Sequence, residues 1–201
     1  VSAYYAAGGF AGANSGGIVQ CYSTGSASAE YSIAGGFVGE NNYMGLLLYC
    51  YSTSTASAPD LVGGLVGSGT GGKVLYSFWD TQTSGLDESS GGEGKTTAQM
   101  KTVNTYVGWG AGTCGSVWTI DENNDYLRLA WQGLPGEAVN NTPTPLASLG
   151  GGTQLDPYLI TTAEELNIAG LYPCEWSNYF KLAGDIDLAG YTDTWFNKIG
   201  N

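Results

Sequence analysis

Two sequence blocks recur together three times in the first half of the chain, and the GG pairs of the first block are 27 and 28 residues apart. The first block is AAGGFAG at 6–12, IAGGFVG at 33–39 and LVGGLVG at 61–67, and the second is CYSTGSASA at 21–29, CYSTSTASA at 50–58 and LYSFWDTQTSG at 75–85. A block this short cannot bury its own apolar face. The repeat therefore predicts that successive blocks stack on one another.

The second block alternates as a β-strand does, with small or apolar residues on one face and hydroxylated residues on the other. Cys21 and Ser23 alternate with Tyr22 and Thr24, and the same pattern returns at 50–53. We therefore predict an all-β fold, a right-handed parallel β-helix (solenoid) with turns about 4.8 Å apart. The repeated glycines are expected at tight corners with positive φ. A β-sandwich with coincidental sequence similarity is the alternative.

The repeated motifs also resemble a known family. GGFVG, GGLVG, CYSTGSASA and SFWDTQTSG are similar to the GLUG-motif repeats of bacterial secreted and surface proteins. The resemblance continues in GGEGKTTAQMKTVNTY, VWTI and YLRLAWQ, and it resumes in GGTQLDPYLITTAEELNIAG and FKLAGDIDLAGY, which look like the segment that opens such a module. The resemblance implies a β-helix, a secreted or cell-surface location and a scaffolding role in adhesins, with little chemistry of its own.

Composition and motif order divide the chain into four segments. These are β-helix repeats at 1–85, a C-terminal cap of the β-helix at 86–136, a linker rich in Pro, Gly and Asn at 137–150, and an incomplete opener of a further β-helix module at 151–201. In the family that the chain resembles, the opener precedes the repeats, whereas here the opener-like segment follows them. We therefore expect a unit of a longer tandem array or of a polymer, and a truncated fragment of a large protein is the alternative.

Local signals predict how the later segments begin and what they cover. Thr162 to Glu165 form a capping box ahead of a short helix, and a second short helix is expected near Thr97, capped by Thr96 or Thr97. Strands are expected in YFKLAGDIDL. Four apolar residues are expected to cover the open end of the stack: Trp109, Trp118, Leu129 and Trp131.

The charge balance excludes several kinds of partner. The net charge is −12, with 6 basic against 18 acidic residues, which argues against nucleic acid and anionic membrane surfaces. No apolar run reaches the roughly 20 residues of a membrane helix, so no membrane insertion is expected. The absence of histidine removes the commonest general base. We expect no enzymatic activity; a polysaccharide-acting enzyme would need carboxylates, and 1–67 holds only Glu30, Glu40 and Asp60.

The stretch GEGKTT resembles the end of a phosphate-binding loop, but Ser89 stands where the first glycine is required. The expected role of this stretch is a loop that leaves the last repeat. Asp185 and Asp187 share a strand face and are a pair of carboxylates for acid–base work or for a structural role. Asp80, beside Trp79, is able to bind a sugar if the indole does not pack inside a repeat.

Asp121, Asn123 and Asp125 have the alternating oxygen spacing of a calcium loop, which makes calcium the one cofactor that the sequence suggests. Tyr126 replaces the expected glycine and Gln132 the expected glutamate. A solvated acidic turn is therefore the alternative.

Two further sets of residues follow from the repeat. The outward hydroxyls and rings form a candidate glycan-binding face, which comprises Tyr22, Thr24, Tyr51, Thr53 and Tyr76. Cys21 and Cys50 occupy equivalent positions in successive periods, within reach of a disulfide, although stacked free thiols are an equal alternative.

Asn140 begins the sequon Asn-Asn-Thr and is a candidate glycosylation site. Taken together, the sequence predicts a secreted structural or adhesive repeat protein. Its partners are copies of itself or neighbouring repeat modules, and a carbohydrate-binding module is the main alternative.

Overall fold

The computed structural model describes residues 1–109, 117–139, 150–170 and 173–189, which consist mostly of short β-strands with a few short helices. The chain separates into two compact units, Val1–Met100 and Lys101–Asn201. We call them the repeat unit and the C-terminal unit. The boundary at Met100 lies inside the segment that the sequence analysis assigned to a cap.

Each period of the repeat unit contains five strands in the same order. The first period holds β1 Ser2–Ala3, β2 Ala6–Gly8, β3 Ala11–Asn14, β4 Gly17–Val19 and β5 Tyr22–Ser23. The second holds β6 Ser26–Ala29, β7 Ile33–Gly35, β8 Val38–Asn42, β9 Leu46–Leu48 and β10 Tyr51–Ser52. The third holds β11 Thr55–Ser57, β12 Leu61–Gly63, β13 Val66–Thr70, β14 Lys73–Leu75 and β15 Phe78–Asp80.

Each of these strands pairs in parallel with its equivalent one period away. The result is five parallel sheets, with the orders β1–β6–β11, β2–β7–β12, β3–β8–β13, β4–β9–β14 and β5–β10–β15. Gly8 lies opposite Gly35, and Gly35 lies opposite Gly63, so the register follows the alignment of the repeated blocks. None of the sheets formed by the described residues is closed. The prediction of an all-β fold with repeated strands is confirmed.

The core of the repeat unit has two parts of different side-chain size. One part contains large side chains, namely Phe37, Val38, Leu47, Cys50, Leu65, Val66 and Trp79. The other part is built from small side chains, Ala7, Ala27, Ala29 and Ala34, with Ala3, Ala56 and Ala58 against them. The alanine part lies behind β1, β6 and β11, because alternate residues of these strands point inward.

The glycine pair of the first block is required for close approach of the backbone. A Cβ on Gly35 would lie 1.9 Å from the carbonyl oxygen of Val38, and a Cβ on Gly36 would lie 2.2 Å from that of Gly64. Neither glycine has a positive φ, so the expectation that these glycines supply positive φ is wrong. They are glycines because there is no room for a side chain.

Positive φ values occur at other glycines, Gly25 and Gly71, and they recur at one corner that is occupied by larger residues. Gln20, Tyr49 and Tyr76 have φ values of 54°, 54° and 45°. These residues directly follow β4, β9 and β14. A single cysteine or serine separates each of them from the next strand. A left-handed conformation at a residue with a bulky side chain is uncommon, and its recurrence in three periods indicates that the stack imposes it.

Buried polar side chains bridge successive periods. The Asn14 Nδ2 group donates to Asn41 Oδ1 at 2.9 Å, and Asn41 Nδ2 donates to the Lys73 carbonyl oxygen at 3.1 Å. Ser23 Oγ donates to the Gly36 carbonyl oxygen at 2.8 Å. Buried polar groups are tolerated only when hydrogen-bonded, so these residues help to select one register.

Residues 81–100 continue the repeat unit past its third period. They form α1 Thr81–Ser84, β16 Glu93–Lys95 and α2 Thr97–Met100, and β16 pairs in parallel with β15. The helix predicted near Thr97 is confirmed. Thr96 caps it, since Thr96 Oγ1 accepts a hydrogen bond from the Gln99 amide at 3.2 Å.

The C-terminal unit contains an antiparallel sheet and a small parallel pair. In the antiparallel sheet β17 Trp118–Ile120 lies between β18 Arg128–Leu129 and β19 Glu137–Ala138. The parallel pair is β20 Tyr158–Ile160 with β21 Phe180–Leu182, and α3 Ala163–Ala169 lies between them in the chain. Short 3₁₀ helices occur at Val103–Tyr106, Ala130–Gln132 and Pro173–Ser177.

The capping box of α3 is confirmed, because Thr162 Oγ1 accepts from the Glu165 amide at 3.1 Å and Glu165 accepts in return from the Thr162 amide. The strand predicted in YFKLAGDIDL is shorter than expected and ends at Leu182. Four apolar residues were expected to cover the repeats, and this cover stays a prediction. Trp109 and Trp118 are buried within the C-terminal unit's segment of the chain, Leu129 is half-buried, and Trp131 is 79% exposed.

Candidate functional site

The predicted glycan face divides into two separate rows of residues. Tyr22 lies opposite Tyr51, with ring centroids 5.1 Å apart, and the next residue in this row is Phe78. Tyr76 instead stacks on Tyr49, with centroids 5.6 Å apart. The sequence analysis aligned Tyr76 with Tyr51, whereas Tyr51 pairs with Phe78. The predicted alignment of the third block is therefore wrong by two residues.

Burial also limits what this face can bind. Tyr51 has no exposed surface and Tyr22 is half-buried, whereas Tyr76 is exposed. Thr24 is exposed and Thr53 is half-buried. The five predicted residues thus do not form one continuous accessible surface, and Tyr51 is closed to a sugar in this structure.

Cys21 and Cys50 are free thiols, which is the second of the two predicted alternatives. Cys50 is fully buried among large apolar residues, and its Sγ donates to the Leu48 carbonyl oxygen at 3.4 Å. Burial raises the pKa of Cys50 to about 12 and also raises the pKa of the half-buried Cys21. Both thiols are therefore held in their neutral, weakly nucleophilic form.

The carboxylate of Asp80 has a structural role. Asp80 is fully buried, and its Oδ1 accepts from the amides of Gln82 and Thr83 at the start of α1, while its Oδ2 accepts from the Thr97 hydroxyl at 2.7 Å. The adjacent Trp79 is buried in the core and donates to the Leu86 carbonyl oxygen. Neither residue is available to a sugar.

The predicted calcium residues form a turn whose oxygens already accept hydrogen bonds from the protein. Asp121 Oδ1 accepts from the Asn124 side-chain amide at 2.9 Å, and the Asp125 carboxylate pairs with Arg128 at 3.2 Å. Asn123 has a positive φ of 66°. No group of three or more His, Cys, Asp or Glu side chains that is arranged to hold a metal is found among the described residues. The geometry favours the acidic turn, and the calcium site stays a prediction.

Two other predicted acidic residues, Asp185 and Asp187, are exposed and lie after the end of β21 without regular structure. Asp187 Oδ1 accepts from the Ala189 amide at 2.8 Å, so this carboxylate stabilises a turn. Asn140, the predicted glycosylation acceptor, lies outside the described residues.

The two sides of the repeat unit differ in how their strands are paired. Next to the third period, Gly64 donates to the Glu88 carbonyl oxygen at 3.0 Å, and Ser89 Oγ accepts from the amides of Leu65 and Val66 at 3.2 and 2.8 Å. Glu88 and Ser89 therefore cover backbone donors of the last repeat, which agrees with the expected role of this stretch, up to GEGKTT, as the loop that leaves the repeats.

At the first period, β1, β2, β3, β4 and β5 are each the edge strand of their sheet. Phe10 is an exposed aromatic residue of this first period. Its ring stacks on that of Phe37 in the second period at a centroid distance of 5.0 Å, and 51% of the residue is exposed.

An exposed cluster of three tyrosines was not anticipated by the sequence analysis. Tyr4, Tyr5 and Tyr31 have exposed fractions of 53%, 67% and 49%. Tyr4 and Tyr31 both precede the first glycine of a GG pair by four residues. Extending the alignment of the first block upstream by two residues would have identified them.

No helix formed by the described residues is long and apolar enough to span a membrane. Comparisons of the chain with protein-family models, with curated proteins and with solved structures found no match.

Proposed function

We propose that the chain is a secreted or cell-surface protein with a non-enzymatic, structural or adhesive role, whose repeat unit is a right-handed parallel β-helix of GLUG-type repeats. The observation that supports the β-helix is the pairing itself. Five strands in each period pair in parallel and in register with their equivalents 26 to 29 residues away. Connecting the five parallel sheets in this order coils the chain once per period.

Connection to a neighbouring repeat is the role that we assign to this β-helix. The edge strands β1 to β5 present the same backbone pattern that the second period uses to pair with the first. Unpaired edges of this kind are templates for strand addition. A further repeat, from a second copy or from a neighbouring module, is the occupant that matches this register.

Two further observations support a role without catalysis. The chain contains no histidine, and the buried carboxylate of Asp80 is occupied by helix capping. The repeated inner positions are glycine, alanine, serine and large apolar residues, which serve stacking. The resemblance to GLUG repeats, together with the acidic and hydroxyl-rich composition, supports the secreted or cell-surface location.

Assembly of the purified chain tests the proposed connection. We expect sedimentation velocity to show self-association that grows with concentration. Phe10→Lys places a charge on the exposed ring position at the first period and should abolish this growth. Tyr43→Lys is the matched control, since Tyr43 is 67% exposed and lies in the second period. A wild-type chain that remains monomeric at its highest soluble concentration contradicts strand addition.

A further inference from the structure

Three exposed tyrosines form one continuous aromatic surface on the repeat unit. The centroids of the Tyr4 and Tyr31 rings are 4.1 Å apart, those of Tyr4 and Tyr5 are 4.7 Å apart, and those of Tyr5 and Tyr31 are 6.4 Å apart. About half or more of each residue is nevertheless exposed to solvent. Aromatic rings usually bury most of their area, so an exposed cluster of this size marks a surface for recognition.

The ring spacing decides between two classes of ligand for this surface. An aromatic cage holds a cation within about 6 Å of several ring centroids, and the ligand then occupies the space between the rings. The Tyr4 ring is only 4.1 Å from Tyr31 and 4.7 Å from Tyr5, which leaves no space for a ligand between them. The rings are also inclined to one another, by 42° between Tyr4 and Tyr31 and by 81° between Tyr4 and Tyr5. A ligand must therefore pack against the outward side of an individual ring, as the apolar face of a small flat molecule does.

Polar groups border the same surface. Ser2, Ala3, Tyr4, Ser28 and Glu30 line a recess of about 410 Å³. Ser2 and Ser28 are exposed and lie opposite each other on β1 and β6. The recess thus places hydroxyl groups and one carboxylate beside the rings.

The phenol of Tyr31 takes part in this polar network. The pKa of Tyr31 is raised above its ordinary value, first by a hydrogen bond with Tyr4, then by desolvation and by a hydrogen bond with Glu30.

We propose that Tyr4, Tyr31 and Glu30, with Ser2 and Ser28, form a binding site for a neutral glycan. A pyranose ring has one apolar face, formed by its C–H groups, that stacks on aromatic rings, and equatorial hydroxyl groups that donate to a carboxylate. Both surfaces meet at this site. The net charge of −12 disfavours acidic sugars. The site is distinct from the predicted glycan face, where Tyr51 is buried, and it does not depend on the proposed end-to-end assembly.

Titration of the purified chain with soluble tetrasaccharides tests this site. The probes are β-1,4-linked tetramers of glucose, N-acetylglucosamine, mannose and xylose, and isothermal calorimetry measures the affinity. We expect at least one tetramer to bind. Tyr4→Ala and Tyr31→Ala should each weaken the binding about tenfold, as expected for aromatic residues at the centre of a contact. Glu30→Gln should weaken it less, because the amide still accepts a hydrogen bond.

Matched variants separate the ring from its hydroxyl group and from other exposed tyrosines. Tyr31→Phe keeps the stacking face and should retain most of the affinity. Tyr43→Ala removes a tyrosine that is 67% exposed elsewhere on the repeat unit and should not change the binding. Circular dichroism verifies that each variant is folded.

Three results would overturn the proposal. The first is that none of the four tetramers binds. The second is that a tetramer binds equally well to the wild type and to Tyr4→Ala. The third is that choline chloride binds at this cluster in place of the sugars, which would show a cation site.

Discussion

Gly36→Ala tests the packing on which the repeat depends. Gly36 is the second glycine of the second GG pair, and its amide donates to the Gly63 carbonyl oxygen at 3.0 Å. A Cβ at this position would meet the Gly64 carbonyl oxygen at 2.2 Å and Ser52 Oγ at 2.6 Å. The first of these contacts is with backbone of the next period, so a change of side-chain rotamer cannot relieve it.

The cost of this substitution follows from the distances. Real Cβ atoms essentially never approach another heavy atom within 3.0 Å, so the second and third periods must separate locally. Overpacking of this kind costs about 1–3 kcal/mol. The hydrogen bonds from Gly36 to Gly63 and from Phe37 to Leu65 weaken as the periods separate, which costs roughly 1 kcal/mol each when lost. We expect the free energy of unfolding to fall by about 3–5 kcal/mol, a large part of the roughly 5–15 kcal/mol of a typical domain.

Urea denaturation followed by far-ultraviolet circular dichroism measures this change, and hydrogen exchange of peptides from 1–100 assigns it to the repeat unit. Gly16→Ala is the matched control, because a Cβ on Gly16 has no neighbour within 4 Å and its φ is not positive. That variant should be neutral or slightly more stable. If Gly36→Ala is as stable as Gly16→Ala, the close approach of successive periods is wrong.

Three further predictions concern buried polar groups of the repeat unit. Asp80→Ala removes the cap of α1 and should lower the free energy of unfolding by about 1–2 kcal/mol in urea titrations, whereas the exposed Asp87→Ala should have no effect. Asn41→Ala removes the partner of the buried Asn14 amide and should cost about 1–3 kcal/mol by the same assay. The raised pKa of Cys50 favours the folded state below the ordinary thiol pKa near 9, and this stabilisation is lost as the pH rises toward 12. The unfolding free energy of the wild type relative to Cys50→Ala should fall by about 1.4 kcal/mol per pH unit in that range, and parallel curves would contradict the burial of the thiol.

Periodicity was sufficient to predict the strands and most of their register. In a parallel stack of like repeats, residues that are equivalent in sequence become neighbours in space. The pairing of Ser28 with Ser57 and the alternation around it could therefore be read directly from the second block. The helix beginning at Ala163 was predicted for a different reason, since both partners of its capping box lie within four residues of chain.

Exposure was not predictable from periodicity. Tyr22 and Tyr51 are equivalent in sequence, yet only Tyr22 retains exposed surface. The alternating aromatic residues also allow two alignments that differ by two residues, and sequence alone does not distinguish them. Hydrogen bonding does, because Ser77 Oγ accepts from the Cys50 amide at 3.0 Å. Ser77 is thereby the equivalent of Cys50, and Tyr76 is the equivalent of Tyr49.

A ligand-binding site is therefore expected at surface positions where successive periods differ in sequence. The repeated inner side chains pack against one another in the core and are not accessible to a ligand. Tyr4 and Tyr31 precede the first two GG pairs by four residues, and Pro59 takes this position in the third period. The row of rings ends there. A platform that spans two periods, about 4.8 Å apart, matches the size of a single sugar ring. We therefore expect Pro59→Tyr to lengthen the platform and to increase the affinity for a tetrasaccharide more than for the corresponding monosaccharide. Equal gains for the two ligands would show that the tyrosines do not act as one surface.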